Sequence, residues 1–225
     1  MDKHFSVAID GPSGAGKSTI ARAAAARFGF IYVDTGAIYR TVGLAAARAG
    51  LPLGAEQDVL KLLPGLDIAF GYGEDGAQHM YLNGEDVSGL IRTPEISMRA
   101  SAGSMPEVRA CLLDMQRKMA ESHSVIMDGR DIGTVVLPNA SLKIFLTASP
   151  ERRAERRYLE LREKGATDSY DEVLRDIIKR DKNDSSRAAA PLKRADDAIE
   201  VDTSELTLDE SIERICALIS DRTGG

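Results

Sequence analysis

The sequence predicts an α/β chain, a five-stranded parallel sheet flanked by helices, with a small antiparallel β insertion and a helical arm. Three observations predict it. Apolar runs suited to buried strands fall at 5–9, 30–33, 124–127, 142–147 and 198–201, with helical patterns between them. Residues 66–90 lose the helical period, alternate in short runs and carry Asn83-Gly84, a dipeptide that favours a tight hairpin. Residues 149–190 are strongly charged and helical in pattern.

The elements follow in order. The run FSVAI (5–9) leads into GPSGAGKS (11–18), which fits G-x-x-x-x-G-K-[ST]. Backbone N–H groups of such a loop turn inward on a triphosphate, with Lys17 reaching the outer phosphates and Ser18 a magnesium ion. An alanine-rich helix over 18–28 comes next and stops at Gly29. Further helices are predicted over 37–49, ending at Gly50, over 55–63, stopped by Pro64-Gly65, and over 106–121. In the arm, Ser149 and Pro150 start one helix that Gly165 ends, and Ser169 with Glu172 forms a capping box for a second. Thr207 and Glu210 have the same spacing ahead of the last helix.

At 225 residues the chain can hold one good core with an inserted segment. Its net charge of −6 argues against a nucleic-acid or membrane surface, and no apolar stretch reaches membrane length or resembles a signal peptide. Cys111 and Cys216 have no metal-ligand spacing and read as reduced thiols, so the expected compartment is the cytoplasm.

Parallel-sheet nucleotide sites lie at the carboxyl ends of the strands. The exits here are the phosphate loop, DTGAIYR (34–40) and DGRDIGT (128–134), which together offer Arg40, Arg130 and Asp131. Asp128 has the placement of a magnesium-supporting carboxylate, acting directly or through water, and equally that of a turn aspartate. Bringing two phosphorylated substrates together requires cations. The arm supplies Arg153 and Arg157 four residues apart, then Arg180, Asp184 and Arg187 at steps of four and three. Arginine rows are commonly solvated faces, and Glu151, Glu155, Glu160 and Glu163 keep that reading open for Arg152 and Arg156. His4, His79 and His123 fall in none of these motifs. Transfer to a phosphate needs no general base, which favours a nucleotide acceptor. A nucleotide-driven switch is the competing class, but no N-K-x-D guanine reader is present and the arginines would have no task.

These residues resemble the bacterial cytidylate kinases, a branch of the nucleoside monophosphate kinases. The resemblance runs through GPSGAGKS, DTGAIYR, EDVSGLIRT (85–93), PEVR (106–109), DGRDIGTVVLPNA (128–140) and the frame from Arg180 to Arg187, followed by Pro191-Leu192. It implies a P-loop kinase that phosphorylates CMP or dCMP with ATP and Mg2+, monomeric and cytoplasmic, without nucleic-acid or membrane partners. The implied layout is a single domain over 1–225, with a core of 1–36, 105–148 and 191–225. An acceptor-binding segment would span 37–104 and a lid 149–190.

By the same resemblance, ATP would lie on Gly11, Pro12, Ser13, Gly14, Ala15, Gly16, Lys17, Ser18 and Thr19, with magnesium at Ser18 and Asp128. Thr35, Arg40 and Arg130 would hold the acceptor phosphate, joined by Arg187. Ser101, Arg109 and Asp131 would read cytosine, and Arg180 and Asp184 the ribose. Lys17, Arg130, Arg153, Arg157 and Arg187 would serve the transfer itself. Thr35 stands where the family often has serine, which keeps the hydroxyl. The stretch from Thr93 to Arg109 is one residue shorter than the family pattern.

Overall fold

In the computed structural model the chain runs β1 (Ser6–Asp10), α1 (Lys17–Phe28), β2 (Ile31–Asp34), α2 (Thr35–Arg48), α3 (Glu56–Leu62), β3 (Ile68–Tyr72), β4 (Gln78–Leu82), β5 (Glu85–Asp86) and α4 (Pro94–Ala102). It continues through α5 (Pro106–Ser122), β6 (Val125–Gly129), β7 (Leu142–Thr147), α6 (Pro150–Glu163), α7 (Tyr170–Ser185), β8 (Ile199–Asp202) and α8 (Leu208–Thr223). Residues 4–53, 55–73, 78–102, 106–163, 165–187 and 189–224 are described.

The five apolar runs are the five strands of one sheet, in the order β2-β6-β1-β7-β8. β1 pairs in parallel with β6 and with β7, and β7 in parallel with β8. Four of the strands begin one residue later than their runs and continue past them, so that Asp10, Asp34, Asp128 and Asp202 belong to strand ends. Hydrophobic patterning marks only the buried stretch, whereas the hydrogen-bonded ladder goes on to the residues that leave the sheet edge.

Residues 1–32 and 122–225 form one compact unit and 33–121 a second, the division falling inside β2. In the first, Val7, Ile9, Ile126, Ile144 and Leu146 are fully or almost fully buried, with Ile20, Ala21, Ala24 and Ala25 of α1 and Ile215 and Ile219 of α8. The alanines let α1 lie close to the sheet, and Gly29 ends it in the left-handed conformation at φ 66°. Both predicted capping boxes form, Ser169 with Glu172 on α7 and Thr207 with Glu210 on α8.

In the second unit α2 carries the buried face, with Ala37, Ile38 and Val42 packed among Met80, Leu82, Val87, Ile91, Ile96, Val108 and Leu112. The expected insertion is the antiparallel sheet β3-β4-β5. Its hairpin turns at Asn83 and Gly84, with φ 52° and 80°, the pair of positive values such a turn needs. Sequence patterning missed α4. It approaches α2 at Gly43, where an added Cβ would stand 3.1 Å from Arg99 Cβ and 3.2 Å from Ala100 N.

Candidate active site

The phosphate loop lies between β1 and α1, where the pattern required it. Gly11 has φ 149°, and a Cβ there would fall 1.9 Å from the Leu146 carbonyl oxygen of β7. No larger residue fits. Gly16, at φ 86°, turns the chain into α1 without any side-chain cap. The first N–H groups of α1 thus keep the anion-facing character of a helix start. Lys17 is buried, and its Nζ donates to the Pro12 carbonyl at 2.7 Å, so the ammonium folds back over its own loop. Burial pulls the Lys17 pKa well down, and the Arg130 charge adds to this against the opposing pull of Asp128 and Asp10.

Asp128, at the end of β6, is held on both oxygens. Ser18 Oγ donates to Oδ2 at 2.8 Å and Tyr32 Oη to Oδ1 at 2.9 Å. A hydroxyl and a carboxylate side by side are hard oxygen donors that suit magnesium, which commonly takes one or two protein ligands and completes its shell with phosphate and water. Among the described residues, no cluster of three or more His, Cys, Asp or Glu side chains could hold a metal without a substrate.

Asp184 gathers arginines. It is 1% exposed, accepts from Arg130 Nε at 2.7 Å through Oδ2 and from Arg187 through Oδ1. Burial raises its pKa, but Arg130, Arg187 and Arg180 together outweigh that and hold it below the ordinary carboxylate range. Arg180 is close enough to influence both Asp184 and Lys17. Residues from the β6 exit and the end of α7 therefore meet at one carboxylate; the four- and three-residue spacing put Arg180, Asp184 and Arg187 on one face but gave no sign of Arg130.

The two arginines expected on one face of the arm differ sharply. Arg153 is 3% exposed and donates to the carbonyls of Ala148 and Ser13 and, through both terminal nitrogens, to Asp181. Its stem lies against Gly14, where an added Cβ would be 3.3 Å from Arg153 Cβ. It binds α6, α7 and the phosphate loop together. Arg157 is half-exposed and pairs with Glu160 at 2.9 Å. The neighbouring Arg152 and Arg156 donate to backbone carbonyls of Ser204 and Thr203 after β8.

In the second unit, Asp34 caps α2 by accepting from Ala37 N at 2.9 Å and pairs with Arg40 at 2.8 Å. Arg92 stands 3.8 Å from the same carboxylate. Arg40 Nε is buried with no hydrogen-bond partner among the described residues, which leaves a donor available for an anion. Thr35 is buried at the first position of α2. The Arg109 guanidinium lies over the Tyr39 ring, 5.3 Å from its centroid. Ser101 falls in α4, but its side chain lies outside the described residues.

Sequence reasoning passed over Asp10, Tyr32, Asp34 and Asp181. Asp10 was detectable in principle, as a carboxylate at the carboxyl end of the strand that feeds the phosphate loop. It accepts from Ile132 N and Gly133 N, each at 2.7 Å. Burial pushes its pKa up to about 6, against the lowering effect of those two N–H groups. Between about pH 4 and 6 the folded chain retains a proton here that the unfolded chain releases, so this group lowers stability as pH rises through that window. Asp10→Asn removes the term. The unfolding free energy of the variant relative to the parent should therefore improve by about 2–3 kcal/mol from pH 4 to pH 7. Denaturant titrations at both pH values check this, and a pH-independent difference would contradict it.

The family model described as cytidylate kinase matches residues 7–221. The chain belongs to the cytidylate kinase family. Curated cytidylate kinases bear this out. That of Bacillus cytotoxicus is 45% identical over 222 residues, covering 98% of both chains. That of Syntrophotalea carbinolica is 45% identical over 223 residues, covering 99% of this chain and 94% of its own. Among solved structures, an uncharacterized protein from Eubacterium ventriosum superposes with a TM-score of 0.51 at 13% identity, covering 97% of this chain and all of that one. That likeness concerns the fold alone.

Proposed function

We propose that this enzyme transfers the γ-phosphoryl group of ATP to the phosphate of CMP or dCMP, giving ADP and CDP or dCDP. The observation that carries the reading is the pairing of a phosphate loop with Arg130 and Arg187, two guanidinium groups already oriented by one buried carboxylate. A hydrolase has no use for such a preformed anion clamp. A phosphate acceptor, which must be held against the repulsion of the donor, does.

In this reading the loop amides of Gly14 to Ser18 and the Lys17 ammonium orient the donor phosphates. Lys17 would exchange the Pro12 carbonyl for phosphate oxygens. Ser18 and Asp128 would hold magnesium, which when bound neutralises phosphate charge and so eases in-line attack. Arg130, Arg187, Arg40 and Thr35 serve the acceptor phosphate, and Arg180 with Asp184 the ribose. Arg109, Ser101 and Asp131 serve the base. Arg157 is the arm arginine that exposure leaves ready to meet the transferring group. Arg153 would first have to release Asp181, so its more immediate task is to fix the Ser13 end of the phosphate loop. Exclusion of water by the arm would protect ATP from hydrolysis.

ADP formation with CMP, dCMP, UMP and AMP in turn tests the reading, with the two cytidine nucleotides expected to be turned over most efficiently. A folded, magnesium-supplied enzyme that phosphorylates no pyrimidine monophosphate would overturn it. Cytosine presents an exocyclic amine where uracil presents a carbonyl, so an acceptor oxygen of Asp131 favours the first over the second. Asp131→Ala is expected to narrow the ratio of kcat/KM for CMP over UMP by at least about 10-fold, the loss of one charge-assisted hydrogen bond. An unchanged ratio would remove Asp131 from base recognition.

A further inference from the structure

Residues 132–136 form a π-helical turn immediately after Asp131, and Asp131 occupies the position from which a side chain would ordinarily cap such a turn. It does not do so. Its backbone carbonyl accepts from Val135 N at 2.9 Å and Val136 N at 3.2 Å, but its carboxylate makes no capping bond. The first two N–H groups of the turn, those of Ile132 and Gly133, donate instead to the two oxygens of Asp10, which arrives from β1. Asp10 is 4% exposed and sits opposite Gly129 in the parallel ladder, one residue before Arg130.

We propose that Asp10 is a positioning residue for base selection, which caps the 132–136 turn in place of Asp131 and so lets the Asp131 carboxylate be directed at the substrate. An aspartate at a turn start ordinarily curls back onto the N–H groups two and three residues ahead. Of those two, Gly133 N already has a fixed acceptor on a buried strand, as does Ile132 N just before it, so Asp131 gains less by curling back. Gly133 completes the arrangement. A Cβ on it would lie 3.3 Å from Asp10 Oδ2 and 3.2 Å from Lys143 Cδ, so a side chain there would press on the carboxylate that holds both N–H groups. The sequence thus couples three positions, Asp10, Asp131 and Gly133, in one device.

The inference rests on the cytidylate reading of Asp131, and the experiment separates the two. Steady-state kcat/KM for CMP and for UMP is measured for the parent, Asp10→Asn, Asp131→Ala and the double variant, with the KM for ATP alongside. Asparagine keeps the shape and one acceptor but turns an amino group toward the second N–H. Asp10→Asn is expected to reduce the CMP/UMP ratio by about 3- to 10-fold, roughly the loss of one buried hydrogen bond. In the Asp131→Ala background the same change is expected to leave the ratio where it was. A role confined to stabilising the strand or Lys17 would lower both substrates together and shift the KM for ATP, with the ratio intact. Gly133→Ala, which crowds the same carboxylate from the other side, should move the ratio in the same direction and decides the matter if Asp10→Asn does not fold. Should Asp131→Ala alter the ratio while neither Asp10→Asn nor Gly133→Ala does, the inference is wrong and the base reading stands. Should Asp131→Ala leave it unchanged, the base reading fails, and a ratio still moved by Asp10→Asn would refute action through Asp131.

Discussion

Replacement of Lys17 by alanine is expected to lower kcat by at least about 100-fold, the loss that accompanies removal of one preorganised electrostatic stabiliser. The structure gives reasons to place the effect in turnover rather than in folding alone. The ammonium is buried, close to Arg130 and within the influence of Asp128 and Asp10, so its charge acts in a medium that screens it poorly. Among the described residues its hydrogen bond goes to the Pro12 carbonyl, a neutral acceptor that a phosphate oxygen would outcompete. Coupled ADP detection at saturating ATP and CMP reads the loss, and near-parental kcat would remove Lys17 from the mechanism.

Gly11→Ala should be the most damaging single-methyl substitution in the phosphate loop. The added carbon would be 1.9 Å from the Leu146 carbonyl oxygen, far inside contact distance, and φ at 149° is itself costly for an L side chain. Leu146 cannot retreat, since β7 is paired with β1 on one side and with β8 on the other. The strain must then part β1 from β7 or displace the loop. A loss of at least about 3 kcal/mol is expected, seen as a Tm lower by roughly 6–12 °C and a weakened affinity for ATP. Gly29→Ala is the matched control, because its φ of 66° carries a conformational cost but no atom lies within 4 Å of the new Cβ. About 1 kcal/mol is expected there. Equal losses for the two variants would mean that the close approach to Leu146 is not what Gly11 is for.

The strands, the phosphate loop and the capping boxes were legible because each depends on local chemistry, whether an apolar run, a glycine where φ is positive or a carboxylate three residues after a hydroxyl. The order β2-β6-β1-β7-β8 is a property of the assembled sheet and leaves no local trace. α4 escaped notice because only Ile96 among its residues with described side chains is buried, so it shows no apolar stripe. The arginine spacing placed Arg187 on one helix face with Asp184, but it gave no sign that Arg130 would join them, and it could not distinguish Arg153 from Arg157. Both lie on one face of α6, one turn apart, and the difference comes from Asp181 on α7, which only tertiary structure brings to Arg153. Asp10 stayed hidden for a related reason: its partners, Ile132 and Gly133, are more than a hundred residues away along the chain.

The arginine pair on Asp184 has a further consequence. Two guanidinium groups fixed on a single anion are a mutually repelling couple that this one carboxylate draws together. Neutralising that carboxylate would set the cations apart before any nucleotide arrives, whereas a dianionic guest would draw them together again. Affinity for the acceptor and the integrity of this corner of the enzyme should therefore rise and fall with each other, and added salt should weaken both.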